Sequence, residues 1–234
     1  MPTPKLILAS QSRGRAYLLD QAGYTYAQAA PAFADPPQPE VEEHVSIQRH
    51  AMELAVRKAE SMRDILGDYD PSAAIILSAD TMCVGVDGRI VSQPSDVEDA
   101  RAMIKSFVHA THDVVTGVAM LRIDPADTIH YPRGGELVTF EDTVPVTFGK
   151  LDDEAIDEYL ATGQWRGKAG AYNLFDRQSA GWPITIPEDA DATTVVGLPM
   201  RKVSAVLARW GVKPNLEILK SGILEMKGSP RTRR

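Results

Sequence analysis

Residues 5–23, KLILASQSRGRAYLLDQAG, decide how the chain is read. An apolar run over Lys5–Ala9 gives way to a polar turn, Ser10-Gln11-Ser12, and then to a helical pattern. Ala16, Leu18 and Leu19 are its apolar positions, and Gly23 is placed to end it. A strand that feeds a helix start is the opening of an α/β domain.

The rest of the chain fits that opening. Residues 24–30 read as a second strand, and residues 31–40, with Pro31, Pro36, Pro37 and Pro39, as an exposed irregular loop. A helical pattern over 45–66 has Ile47, Leu54, Ala55, Met62, Ile65 and Leu66 apolar and Gly67 as its C-cap. The apolar run 73–77 predicts a buried strand ending on Ser78-Ala79-Asp80-Thr81. A hairpin follows over 82–91 with Asp87-Gly88 at its turn. The capping-box spacing of Ser95 and Glu98 starts a helix running to Phe107. Residues 114–123 and 137–148 read as long strands around a loop with Pro132, Gly134 and Gly135, and 152–160 as a short helix. Residues 193–196 look strand-like, before a last helix to Trp210. These elements predict one mixed α/β domain over 1–212 and a frayed, basic tail over 213–234.

Composition narrows the function classes. The chain has 234 residues, 44% hydrophobic and 24% charged, which is enough for a sizeable core. No run approaches the ~20 apolar residues of a membrane span, and the N-terminus lacks the pattern of a secretory signal. A net charge of −7 argues against a nucleic-acid or anionic-membrane binder. The one cysteine, Cys83, allows no internal disulfide and fits a reducing, cytoplasmic setting.

Three places could carry chemistry. The turn Ser10-Gln11-Ser12-Arg13-Gly14-Arg15 puts two cations in a helix's first turn, where the helix dipole disfavours them and an anion such as phosphate would relieve the conflict. The plainer reading makes Ser12 an N-cap and both arginines solvated, and residue pattern alone leaves the two open. The spacing is not that of a P-loop. Asp80, with Thr81, stands at the carboxyl end of the predicted buried strand, where it could hold Mg²⁺ or activate a water, or simply begin a turn. Lys58 lies on the long helix beside Arg57, and spacing does not select between them. The five histidines read as structural or solvated, and Cys83 as a small buried hydrophobe.

Taken in order, LILASQS with Arg15 and Leu18-Leu19, LAVRKAE, SADTM, DGRIVSQP, THDVVTGVAM, VTFGKLDDEAIDEYLATG, KAGAY and VVGLPM resemble the Maf family of nucleoside triphosphate pyrophosphatases, from Leu6 to about Gly211. The resemblance implies an elongated mixed sheet with flanking helices and a central cleft, of the Maf/ITPase kind. It also implies a cytoplasmic homodimer that cleaves a nucleoside triphosphate, or a modified nucleotide, to the monophosphate and pyrophosphate with a divalent cation, Mg²⁺ or Mn²⁺. Asp80 falls on the family's proton acceptor and Lys58 on its active-site lysine. Ser10, Ser12 and Arg15 fall on the phosphate-contacting turn, with Arg13 and Thr81 beside these positions.

Departures accompany the match. Gly14 replaces an expected arginine, which Arg13 could cover. Ala34-Asp35 keeps one acid of a pair, and Gln93 stands for a lysine. Phe175 stands for a glutamine able to hydrogen-bond a base, which predicts a base preference broader than, or shifted from, that of pyrimidine-selective relatives. The alternative reading is a catalytically weakened nucleotide-binding protein acting through interaction, for example in division control. A third is hydrolysis of another phosphoanhydride or a small phosphate ester.

Overall fold

The computed structural model describes residues 5–33, 46–66, 74–124 and 134–215. The chain runs β1 (Lys5–Ala9), α1 (Arg13–Gln21), β2 (Tyr26–Ala29), α2 (Ile47–Leu66), β3 (Ala74–Val84), β4 (Ile90–Val91) and α3 (Val97–Phe107). It continues through β5 (Thr111–Arg122), β6 (Glu136–Phe148) and α4 (Asp153–Ala161). A 3₁₀ turn at Ala169–Ala171 and α5 (Leu174–Ser179) precede β7 (Ile184–Thr185), α6 (Ala192–Val196) and α7 (Met200–Arg209). The Ala34-Asp35 pair, the Gly67 cap, most of the proline-rich loop and the tail from 216 lie outside the described residues, as does Pro132.

The strands form one mixed sheet in the order β2-β1-β3-β5-β6-β7, with β4 paired to β3. β1 is parallel to both β2 and β3, whereas β3, β5, β6 and β7 follow one another antiparallel. The long central strands are apolar on both sides because helices cover both faces. On one face α2 lays Ala55, Ala59 and Met62 against Ile76, Ala119 and Leu121. On the other, α1 and α7 bring Leu18, Leu19, Val203 and Leu207 onto Leu6, Leu8, Ile75, Leu77 and Val118. A further cluster, rich in aromatic side chains, joins α3, α4 and the ends of β5 and β6 through Phe107, Phe148, Tyr159, Trp165 and Trp182.

One close approach sets the spacing of α2 above the sheet. A Cβ built on Gly117 of β5 would lie 2.3 Å from the carbonyl carbon of Ala51, so helix backbone rests directly on strand backbone. No side chain fits between them, and only glycine allows the contact.

Three expectations need correction. β3 does not stop near Ser78: it continues to Val84, because Ser78–Val84 stay paired with β5 in an unbroken register. Residues 193–196 are helical despite their β-branched side chains. Asp191 caps that helix through Thr193 N, and Gly197 closes it in the left-handed region at φ 117°, so the two end signals outweigh propensity. The cap of α3 is Asp96, one residue later than the spacing of Ser95 and Glu98 implied, with Asp99 reaching back to Ser95 N.

Candidate active site

β1 pairs with β3 only as far as Leu77, and β4 rejoins the same edge at Cys83. Residues 78–82 therefore face a notch in the sheet, roughly 16 Å long at about 3.3 Å per residue. Asp80 sits in this notch, inside its strand rather than at the strand's end. The turn after β1 closes one side and the β3–β4 hairpin the other, around a cavity of about 500 Å³.

Strand alternation decides what each β3 residue meets. Ile76 packs under α2, and Ser78 donates to Ala55 O at 2.7 Å, so Asp80 also faces α2. There it meets Lys58, whose Nζ lies 2.5 Å from Asp80 Oδ1, with the side chains 9% and 12% exposed. The buried stripe of α2 is Ala51, Leu54, Ala55, Lys58, Ala59 and Met62. That period places position 58 inward and position 57 outward, a distinction the apolar positions of the helix already contained.

On the opposite face, Arg15 is held from three directions. Its Nη1 donates to Ser10 Oγ at 3.0 Å, Nη2 to Thr81 Oγ1 at 3.1 Å, and Nε to Gly197 O at 3.0 Å. Ser12 caps α1 by accepting from Arg15 N. Ser12, Arg15, Lys58, Asp80, Thr81 and Gln93 all line the cavity, and Ser10 is buried behind Arg15.

Arg13 and Phe175 are placed elsewhere. Arg13 lines a second, more open hollow with Tyr17, Asp20 and Gln28, on the far side of the turn. Successive helix positions diverge by about 100°, so Arg13 does not replace the cation missing at position 14. A Cβ at Gly14 would come within 3.0 Å of Val196 Cγ1 and 3.2 Å of Val196 O, so α6 occupies the space an arginine there would need. Phe175 is half-buried, packs against two core clusters, and is not among the cavity's lining residues. Its expected effect on base choice loses its structural basis.

Several lining residues were not singled out from sequence. Lys168, half-buried at the mouth, has its pKa lowered by desolvation. Tyr172 and Asn173 line the same wall, and Gly170 N donates to Ser92 O at 3.4 Å, tying this wall to the strand-exit segment that carries Gln93. Tyr172 also bonds the buried His112, 2.9 Å from Oη to Nε2. Cys83 lines the cavity floor, with burial pushing its thiol pKa up to about 12, which makes it a poor nucleophile.

The charge count is the site's main chemical feature. Among the described residues, Arg15, Lys58 and Lys168 line the cavity with one carboxylate, Asp80, within a chain whose net charge is −7. Such a pocket concentrates anions. Among the described residues no group of three or more His, Cys, Asp or Glu side chains could hold a metal ion by itself.

A family model described as "Maf-like protein" matches residues 5–210. A Bacillus pumilus protein named dTTP/UTP pyrophosphatase is 33% identical over 210 residues, covering 90% of this chain and 98% of the relative. Proteins of the same name from Symbiobacterium thermophilum and Anaeromyxobacter dehalogenans are 35% and 34% identical, covering 88% and 89% of this chain and 94% and 95% of those relatives.

Proposed function

The chain belongs to the Maf-like protein family, and from that premise we propose that it hydrolyses nucleoside triphosphates to the monophosphate and pyrophosphate. The observation that carries this reading is the cavity whose described lining sets three cations around one buried carboxylate. A triphosphate is the anion such a cavity suits, and an anion binder alone has no use for a carboxylate among its cations.

In this reading Asp80 is the general base. Lys58 engages Oδ1, and among the described residues Oδ2 takes no hydrogen bond, so Oδ2 is the oxygen that would accept the water's proton during in-line attack on the α-phosphorus. Lys58, Arg15 and Lys168 would stabilise charge on the triphosphate and the leaving pyrophosphate. Ser12 would meet phosphate at the helix start, and Ser10 and Thr81 would hold Arg15. Gln93 would offer a neutral donor in place of a cation. A divalent cation, Mg²⁺ or Mn²⁺, would be held by Asp80 together with substrate phosphates; when bound it neutralises phosphate oxygens and lowers the pKa of a coordinated water. Family membership also supports a cytoplasmic homodimer with no nucleic-acid or membrane partner. Among the described residues no helix is long and apolar enough to cross a membrane.

Pyrophosphate release from ordinary and modified nucleoside triphosphates, with Mg²⁺ and with Mn²⁺, tests the reading. The names of the relatives make dTTP and UTP the first substrates to try. Release of pyrophosphate and monophosphate is expected; tight nucleotide binding without release would favour the catalytically weakened binding protein.

A further inference from the structure

Behind Arg15 runs a chain of hydroxyl groups whose direction can be worked out from donor counting. Thr116 Oγ1, on β5, donates to Thr194 O at 2.8 Å. Thr81 Oγ1 and Thr116 Oγ1 lie 3.0 Å apart. A hydroxyl has one proton, and that of Thr116 is committed to the carbonyl. Thr81 must therefore be the donor to Thr116, which leaves the Thr81 oxygen as acceptor for Arg15 Nη2 at 3.1 Å. The order is fixed: Arg15 to Thr81 to Thr116 to Thr194.

Its far end is anchored as well. Thr194 Oγ1 donates to Asp142 Oδ2 at 2.5 Å, and Asp142 Oδ1 pairs with Lys202 at 2.7 Å. Thr116 and Thr194 are both wholly buried. In a dry setting an unmade bond is costly, so the hydroxyl directions are well determined. Gly197 admits the arrangement: a Cβ there would lie 3.0 Å from Arg15 Nε and 3.2 Å from Thr81 Oγ1.

We propose that Thr116, which does not line the cavity, is a positioning residue for the reaction: by taking the proton of Thr81 it keeps the Thr81 oxygen turned to Arg15 and aims the guanidinium at the phosphates. Thr81 is then part of the same device, since its one proton is spent inside the protein and is not offered to substrate. The proposal rests on the pyrophosphatase reading for its kinetic readout.

The test compares Thr116→Val, Thr116→Ser, Thr81→Val and the double valine variant. Valine keeps the shape and removes the hydroxyl; serine keeps the hydroxyl. Thr116→Val is expected to lower kcat/KM about tenfold, mainly through KM, since a charge-assisted phosphate contact is misaligned. Thr116→Ser should recover most of that loss. Because the two threonines act in series, the double variant should be no worse than either single one. A kcat/KM within twofold of wild type in Thr116→Val overturns the proposal, as do a failure of serine to rescue and losses that multiply in the double variant. A purely structural threonine would lower the melting temperature without moving KM. Should Thr116→Val not fold, Thr81→Val carries the same expected loss and Thr81→Ser the same rescue. Binding of inorganic tripolyphosphate, measured by calorimetry, separates the two layers of argument. If wild type releases no pyrophosphate from any nucleotide, the pyrophosphatase reading fails. The positioning role then stands only if Thr116→Val weakens tripolyphosphate binding about tenfold and Thr116→Ser does not. Unchanged binding, or none by wild type, overturns it.

Discussion

Lys58 and Asp80 reach each other from different layers of the fold, the ammonium from the buried stripe of α2 and the carboxylate from the middle of β3. They meet inside the notch between the ends of β1 and β4 pairing, where β3 has no neighbouring strand among the described residues. A buried pair of this kind is costly to break by halves, because the remaining charge loses the carboxylate that faced it. Asp80→Asn is thus expected to do two things. It should lower kcat by ~10²-fold or more by removing the base. It should also destabilise the fold by about 1–3 kcal/mol, because Lys58 then faces a neutral amide. The second effect comes from the burial of the pair, since an exposed carboxylate could be made an amide with little change in folding. Turnover assays and denaturant midpoints read the two effects separately. Near wild-type kcat would remove Asp80 from the chemistry.

Arg15→Ala is expected to raise KM and lower kcat/KM. From the helix dipole alone its stability should hold or rise slightly, since a cation leaves the first turn of α1. Three contacts of Arg15 with described residues overrule this: Ser10, Thr81 and the Gly197 carbonyl all lose a donor. A loss of about 1–3 kcal/mol should appear in thermal or urea unfolding.

Gln93→Lys is expected to raise kcat/KM about tenfold, since an ammonium would join the cavity in place of a neutral amide. Arg13 lines the other hollow, so adding Arg13→Ala should leave the gain unchanged. Steady-state kinetics on both variants decide the matter; a gain that depends on Arg13 would contradict the geometry.

His112 sets an acid limit on the fold. Burial pushes its pKa down from 6.5 to about 4, with the ring stacked 4.0 Å from Phe107 and 2% exposed. Well above pH 6.5 neither folded nor unfolded chain protonates this imidazole, and its contribution is fully present. As pH falls towards 4, the unfolded chain takes up a proton that the folded one refuses, at a cost of about 3 kcal/mol in total. Urea midpoints measured from pH 7 to 4 should fall accordingly. His112→Gln, which stays neutral, should show a smaller fall over that window.

The first strand-turn-helix unit, the long helix and the central strands were all legible because periodicity and end signals agree there. Asp80 was legible as a candidate but misplaced: an apolar run that turns polar reads as a strand ending, whereas here the polar residues remain paired with β5 while their other edge opens on the cavity. Lys58 was separable from Arg57 by the phase of the whole stripe, since Leu54 and Met62 lie one turn to either side of position 58 and Ala51, Ala55 and Ala59 fill the same face. Phe175 shows the opposite failure. Its place in the family pattern suggested a base contact, but the short helix α5 turns it into the core, and Asn173 at the cap lines the cavity instead. The Arg15 network joins residues far apart in the chain, and no local pattern signals such a contact.

The notch in β3 also bears on how the protein behaves among copies of itself. An edge without a partner strand is a template for pairing with another chain, and proteins guard such edges with charge, bulges or covering segments. Here the opening is only residues 78–82 wide, bracketed by a turn and a hairpin, and charged by Arg15, Lys58 and Asp80. An incoming strand would have to bury those charges to pair. The same side chains proposed to handle phosphate thus act as gatekeepers of solubility, so a variant stripped of all three would lose its protection against aggregation along with its activity.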